Sequence, residues 1–191
     1  LKLEDVLISS FDTNGQNVTF SAPLAVGTLG TGGLAKTGAG SLTISGNQAY
    51  TGATSVNAGT LILDYSSANG SKLSDSAALT LAGGTLNLAG GSHAELVSNT
   101  DITGISTISR TSGTATINLG NITRTGSNTL NILGDNIART SMSNDISGKL
   151  PSWITVNGSP AANDGSGNII AFSGFYNVNR LGGLIPNNPA N

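Results

Sequence analysis

The chain of 191 residues has no cysteine, one histidine, and few aromatic or charged residues. Without cysteine no disulfide can form. A cysteine-free chain fits a bacterial protein that is exported unfolded, but many cytosolic proteins also lack cysteine. Charged residues make up 9% of the sequence, well below the usual share of roughly a quarter. Because His93 is the single histidine, any Ser-His-Asp triad would have to use it.

The sequence also lacks clustered charge and long apolar runs. The net charge is −2 and the charges are scattered, so the basic patch that neutralises phosphates is missing and nucleic-acid binding is not expected. No apolar run approaches the roughly twenty residues that span a bilayer, and no signal-peptide pattern is present. The first residue is Leu1 instead of methionine, which suggests a removed leader or an excised fragment.

What the sequence does contain is glycine and short aliphatic groups. It has 27 glycines, and hydrophobic residues make up 37% of it. Disordered chains usually combine high net charge with few aliphatic residues, which is the opposite of this composition. The composition therefore favours an ordered chain of one compact or elongated domain.

The clearest pattern is the stretch 34–63, with the sequence LAKTGAGSLTISGNQAYTGATSVNAGTLIL. It contains two aliphatic triplets, 42–44 and 61–63, and each follows a glycine-bearing tripeptide. This pattern predicts short strands between tight turns, because glycine supplies the positive φ that such corners require. The triplets begin nineteen residues apart, a spacing close to the length of one solenoid coil, so we expect them to stack.

The same stretch resembles a known family. Its elements 34–46, 50–52 and 56–61, in this order of Gly, Thr and Leu, are similar to the autotransporter-associated β-strand repeat of bacterial passenger domains. The resemblance implies rungs of a right-handed parallel β-helix on a secreted or surface-displayed protein. It implies no catalytic residue, because the repeat carries none in that family.

The remaining sequence is predicted to extend this architecture. Two triplets, 79–81 and 86–88, are separated by Gly83-Gly84 and predict successive sides of one coil. The isoleucines at 102, 105 and 108 have a helix-like spacing, but the surrounding β-branched residues favour strand with a bend.

We therefore predict an all-β fold, a parallel β-helix or β-solenoid with an atypical N-terminal segment and a C-terminal cap that resembles a β-hairpin. The predicted boundaries are 1–33 for the leading or capping strands, 34–149 for the solenoid, 150–178 for the capping strands and 179–191 for a tail or linker. The cap is predicted from two strands, 153–156 and 169–172, on either side of a turn-rich loop, and from the single tryptophan at Trp153.

Candidate chemical groups are few. His93 and Glu95 lie two residues apart and would point the same way along a strand, but no nucleophile is evident, so an ordinary surface histidine is the simpler interpretation. Asp135 and Asp145 near Arg139 form the best acidic cluster for a polysaccharide-cleaving site, but an ordinary solvated corner is the simpler explanation. The loop 163–168 is rich in oxygen ligands but has one carboxylate, so a plain loop is favoured over a calcium site.

These observations predict a non-catalytic structural or adhesive module of a secreted or surface-displayed bacterial protein, without cofactor or metal. Its expected partner is another copy, joined through the solenoid ends or terminal segments into an extracellular filament, while a spacer within a longer protein is the other form. Shallow polar faces leave surface glycans open as a second kind of partner. The alternative function is a β-helix polysaccharide lyase or hydrolase.

Overall fold

The structure is a computed structural model that describes residues 2–3, 7–26, 28–29 and 31–174. All regular secondary structure in these ranges is β-strand. The twenty strands are β1 Lys2–Leu3, β2 Ile8–Asp12, β3 Asn17–Phe20, β4 Ala25–Val26, β5 Gly33–Thr37, β6 Ser41–Ile44, β7 Thr54–Val56, β8 Thr60–Asp64, β9 Leu79–Leu81, β10 Thr85–Ala89, β11 Ala94–Leu96, β12 Asn99–Ile102, β13 Ser106–Arg110, β14 Thr116–Asn118, β15 Asn121–Arg124, β16 Leu130–Ile132, β17 Ala138–Arg139, β18 Ile154–Val156, β19 Ser159–Asn163 and β20 Ile169–Ala171.

The strands form a parallel β-solenoid of about six turns. One long sheet has the order β20-β19-β18-β16-β13-β10-β8-β6-β3, and a second has the order β15-β12-β9-β7-β5-β2. Shorter sheets, β11-β14-β17 and β1-β4, contribute further sides. Successive coils pair in parallel, and among the strand pairs of the described residues only β18–β19 and β19–β20 are antiparallel. The prediction of an all-β parallel solenoid is therefore confirmed.

The core consists of aliphatic rows that run along the solenoid. In the long sheet Leu42 pairs with Leu61, which confirms that the two triplets stack. The row continues in register through Leu86, Ile108, Ile132 and Val156, and each of these side chains is fully buried. Burial of such a side chain contributes roughly 1.5–3 kcal/mol, and each one depends on the coils above and below it.

Glycine fixes the corners between the two main sheets. Gly40 and Gly59 both have positive φ, 83° and 63°, and they follow each other along the same corner. Their carbonyls accept hydrogen bonds from Thr60 and Thr85 of the next coil, at 3.0 and 2.9 Å. A Cβ atom on Gly59 would lie 2.4 Å from the Gly40 carbonyl oxygen, so both backbone conformation and space demand glycine here.

The predicted change of side within one coil also occurs. β9 belongs to the second sheet and β10 to the long sheet, with the Gly83-Gly84 corner between them. Of the three spaced isoleucines, Ile102 lies in β12 and Ile108 in β13. The corner between these strands leaves Ile105 73% exposed.

The C-terminal end of the stack differs from the predicted hairpin in one respect. β18 still continues the parallel ladder, and the chain then reverses into β19 and β20. The segment 159–163, predicted as part of a loop, is thus a strand that was missed because Pro160 argues against a strand interior. Trp153 packs against the core here, and the Arg124 guanidinium lies 5.3 Å from its ring centroid. The predicted tail, 179–191, and residues 175–178 lie outside the described residues.

Candidate functional site

The most elaborate group of polar side chains surrounds Glu95, and we call it the Glu95 cluster: Tyr65, Ser71, Lys72, His93 and Glu95. It forms where the loop 65–78, which joins β8 to β9, folds back onto the solenoid. Glu95 comes from β11 and points inward, where it is fully buried. The cluster therefore fastens a long loop to the core.

The Glu95 carboxylate is satisfied by donors from this loop. Oε2 accepts hydrogen bonds from the Tyr65 hydroxyl, at 2.5 Å, and from the Lys72 backbone amide, at 2.9 Å. Oε1 accepts one from the Leu73 backbone amide, at 3.2 Å. Burial raises the pKa of Glu95, and these hydrogen bonds act in the opposite direction because they stabilise the charged form. Burial and the neighbouring carboxylate also raise the pKa of Tyr65.

Lys72 adds a second connection from the loop to the preceding coil. Its ammonium group donates to the carbonyl of Ala68, at 2.6 Å, and to Oδ1 of Asn47, at 3.0 Å. It also lies 5.2 Å from the centroid of the Tyr65 ring. Desolvation lowers the pKa of Lys72, while the Glu95 and Asp64 carboxylates act against that shift.

His93 lies at the rim of this cluster, and Glu95 does not orient its ring as the carboxylate of a triad would. Its ring stacks on Tyr65 with a centroid distance of 5.3 Å, and Nε2 lies 3.4 Å from the Ser71 hydroxyl oxygen. In a catalytic triad the carboxylate orients the imidazole. Here both oxygens of Glu95 accept hydrogen bonds from Tyr65 and the loop backbone instead. The Ser71–His93 contact therefore lies at the rim of the cluster, and the Glu95 carboxylate beneath it is bound to the loop.

The acidic cluster suggested by the sequence separates into local contacts. Asp135 accepts a hydrogen bond from the Ala171 amide at 2.6 Å, and Arg139 donates to the Ser166 carbonyl at 2.6 Å. Asp145 accepts hydrogen bonds from the amide and hydroxyl of Ser147 within its own turn, and these hold the pKa of this exposed carboxyl below its usual value. Each group thus stabilises a turn or a strand end, and the structure does not join them into one catalytic arrangement.

The oxygen-rich loop 163–168 uses its oxygens internally. Asn163 Oδ1 accepts from the amides of Gly165 and Gly167, and Asp164 Oδ1 accepts from those of Ser166 and Asn168. Oxygens that point at their own backbone amides do not converge on a shared point, as calcium coordination requires. Across the described residues no group of three or more acidic, histidine or cysteine side chains could hold a metal ion.

A second buried cation is Lys36, whose burial was not predicted from the sequence. It points into the solenoid from β5 and donates to the carbonyls of Thr37 and Gly38, at 2.6 and 2.7 Å, and to that of Ala58, at 3.2 Å. Desolvation lowers the pKa of Lys36. The ammonium group thus holds together the corner that contains Gly59.

The outer face of the long sheet presents a polar row. Thr60, Thr85 and Thr107 are paired in register on three successive strands, and Ser41 and Asn131 extend the row at either side. Residues opposite each other in neighbouring strands are separated by about 4.8 Å, so the row repeats at that spacing. This register could not be read from the sequence, because the spacing between these threonines differs from coil to coil.

The stacked parallel coils, with their aliphatic interior and short polar corners, define a β-solenoid protein. No helix in the described part of the chain is long and apolar enough to cross a membrane. Residues 34–63, which form β5 to β8, match the family model described as Passenger-associated-transport-repeat. The resemblance of that stretch to an autotransporter passenger-associated repeat, seen in the sequence, is thus confirmed. No curated protein and no solved structure matches the chain.

Proposed function

We propose that the chain is a non-catalytic structural module of a secreted or surface-displayed bacterial passenger protein. The observation that carries this proposal is the row from Leu42 to Val156, which passes in register through six strands of the long sheet. Two of these six strands, β6 and β8, belong to the stretch that matches the family model. A repeat that contacts only its neighbours is suited to extending a rod, because each coil adds length and a fixed increment of cohesion.

The polar groups support a mechanical role. Glu95, Lys36 and Lys72 are directed to carbonyls, amides and a hydroxyl of the chain itself, so their chemistry is used to hold loops and corners. Low charge leaves few groups for a charged substrate to contact. The module would then act as an inert spacer outside the cell.

The proposed location is tested with antibodies raised against the purified chain. Intact cells that produce the parent protein should be labelled as strongly as permeabilised cells, and protease added to intact cells should remove the labelling. Labelling that appears only after permeabilisation would overturn the surface or secreted assignment.

The enzymatic alternative, a β-helix polysaccharide lyase or hydrolase, is tested on a panel of acidic polysaccharides. We expect no release of reducing ends or unsaturated products by the wild-type chain. Activity that disappears in Asp135→Asn, Asp145→Asn or His93→Ala, but persists in Asp75→Asn, would refute the structural proposal.

Two finer forms of the proposed role concern partners. A filament of copies joined end to end should appear in negative-stain micrographs as fibres with a constant axial repeat, whereas a spacer should appear as dispersed short particles. Adhesion to surface glycans through the Thr60–Thr107 row would appear as binding on a glycan array that Thr85→Lys abolishes. We favour the spacer, because the C-terminal end of the stack turns back on itself.

A further inference from the structure

Lys72 and Asn47 bring a primary amine against a side-chain carboxamide of the preceding coil. Asn47 follows β6, and Lys72 lies 25 residues further along the chain, in the loop 65–78. Nζ of Lys72 lies 3.0 Å from Oδ1 of Asn47. The carboxamide carbon is bonded to that oxygen, so a rotation of either side chain brings the amine nitrogen against it. The contact therefore holds together the two reactants of an amide exchange.

The chain around Lys72 holds the amine in this position. The Glu95 carboxylate accepts hydrogen bonds from the backbone amides of Lys72 and Leu73, at 2.9 and 3.2 Å. Nζ also donates to the Ala68 carbonyl, at 2.6 Å, and the whole Lys72 side chain is buried. Two groups that are already held in contact avoid most of the entropy loss that the same reaction costs between free molecules.

The surroundings of Lys72 favour the neutral amine, which is the nucleophilic form. The hydrogen bonds of Nζ go to two uncharged oxygens, those of Ala68 and Asn47. Desolvation lowers the pKa of Lys72, although the Glu95 and Asp64 carboxylates act against this shift. The neutral form is therefore more populated than in an exposed lysine.

The backbone of Gly70 polarises the carboxamide. Its amide donates to Oδ1 of Asn47 at 3.1 Å, and this oxygen would carry the negative charge when the carboxamide carbon becomes tetrahedral. A fixed donor of this kind stabilises such an oxyanion. A Cβ atom on residue 70 would lie 2.6 Å from Nδ2 of Asn47, so glycine allows this close approach. Asn47 is otherwise exposed, so water can carry protons and ammonia can leave.

We propose that Lys72 and Asn47 form an intramolecular isopeptide bond. The neutral amine attacks Cγ of Asn47, a new C–N bond forms, and the tetrahedral intermediate expels Nδ2. The proton that Nζ gives up leaves with this nitrogen, so the products are one amide and one ammonia. The exchange is redox-neutral and needs no further reactant. The bond joins the loop 65–78 covalently to the preceding coil.

The proposal is tested by the intact mass of the purified chain under denaturing conditions. The wild-type chain should be about 17 Da lighter than its sequence, the mass of one ammonia. Lys72→Arg should have its full calculated mass, because a guanidinium group stays protonated and does not attack. Asn47→Ala, at an exposed position, should also have its full mass. The control Lys149→Arg changes a lysine outside this contact and should keep the deficit.

Trypsin distinguishes the isopeptide bond from an asparagine succinimide, which has the same mass deficit. Trypsin does not cleave after an acylated lysine, so residues 37–110 should remain one peptide that carries the deficit. A succinimide would leave the bond after Lys72 cleavable, because that side chain would be unmodified. A wild-type chain of full mass, or a deficit together with cleavage after Lys72, would overturn the proposal. Either result would leave the structural role of the module intact.

Discussion

In most strands of this protein the hydrophobic side chains point inward and the polar ones outward. The exceptions are polar side chains that point inward and bind backbone groups. In β11 the pattern is inverted, since Glu95 is buried while Leu96 is 39% exposed. An inward carboxylate costs desolvation, and it is tolerated because two backbone amides and a hydroxyl of the loop 65–78 bind it. Sequence reasoning paired Glu95 with His93, and it missed the loop because nothing local to Glu95 predicts contacts with residues more than twenty positions away.

Glu95 predicts a specific pH dependence. Its pKa is raised in the folded chain, so the folded state binds this proton more tightly than the unfolded state. The stability that this proton contributes is fully present below pH 4.5, the ordinary pKa, and is lost as the pH rises through the raised pKa. Glu95→Gln cannot titrate, so its free energy of unfolding should decline less than that of the wild type as the pH rises from 4 to 8. Urea denaturation at several pH values measures the difference.

The control for this experiment is Asp75→Asn, which removes an exposed carboxylate from the same loop. It should keep the wild-type dependence on pH. If Glu95→Gln and the wild type lose stability in parallel, Glu95 is not the titrating group.

At the scale of elements, the aliphatic strands were predictable, whereas of their pairings only that of the triplets 42–44 and 61–63 was predicted. The triplets 42–44, 61–63, 79–81 and 86–88 could all be identified as strands, because glycines bracket short aliphatic groups. The strand β19 was missed because its inward residues are alanines that follow a proline. The residue-by-residue register between coils could not be predicted from the sequence, because it depends on the number of residues in each corner.

The row in the long sheet predicts a large cost for truncating one member. Leu86→Ala removes a fully buried side chain between Leu61 and Ile108, and we expect it to lower the free energy of unfolding by about 2–5 kcal/mol. Thr85→Ala on the outer face of the same strand should change it by no more than about 0.5 kcal/mol. Denaturant titration of both variants provides the comparison. Equal effects would mean that the aliphatic row is not the main source of cohesion.

The glycine corner predicts a second contrast. Gly59→Ala puts a Cβ atom 2.4 Å from the Gly40 carbonyl oxygen and 2.8 Å from Nζ of Lys36, at a φ of 63°. Gly15 has a similar φ of 79°, but a Cβ atom there meets nothing within 4 Å. We therefore expect a loss of about 1 kcal/mol for Gly15→Ala, from conformation alone, and about 2 kcal/mol or more for Gly59→Ala. Thermal melts of both variants decide whether the close approach adds to the conformational cost.

For the molecule as a whole, the sequence predicted the architecture because a solenoid needs only local rules that repeat. Each strand and each glycine corner can be predicted from the sequence. Stacking then follows, because the coils must bury their aliphatic faces. The predicted C-terminal cap is present as antiparallel strands, but the strands that form it were predicted only in part. Within the described residues the long sheet ends at β3 and the last coil reverses, and both features depend on segments that have no repeat to compare with.

Because each coil is stabilised by the coils next to it, a destabilising substitution should affect mainly the coils around it. Leu130→Ala, in β16, should accelerate hydrogen exchange in β16 to β20 and leave β5 to β7 protected, whereas Leu42→Ala, in β6, should do the reverse. Exchange followed by mass spectrometry of peptides resolves the two regions. A uniform loss of protection along the chain in either variant would show that the solenoid unfolds as a single cooperative unit.

The unequal lengths of the coils have a practical consequence. Leu42 and Leu61 are separated by 19 residues, Leu61 and Leu86 by 25, and Leu86 and Ile108 by 22, yet all four remain in one row. Extra chain is absorbed outside the strands, above all between β8 and β9, without shifting the next rung. Residues 75–76 of this junction are exposed and lie outside the hydrogen bonds that hold Lys72 and Leu73 to Glu95, so a peptide grafted there should leave the row in register and be displayed at that level of the solenoid.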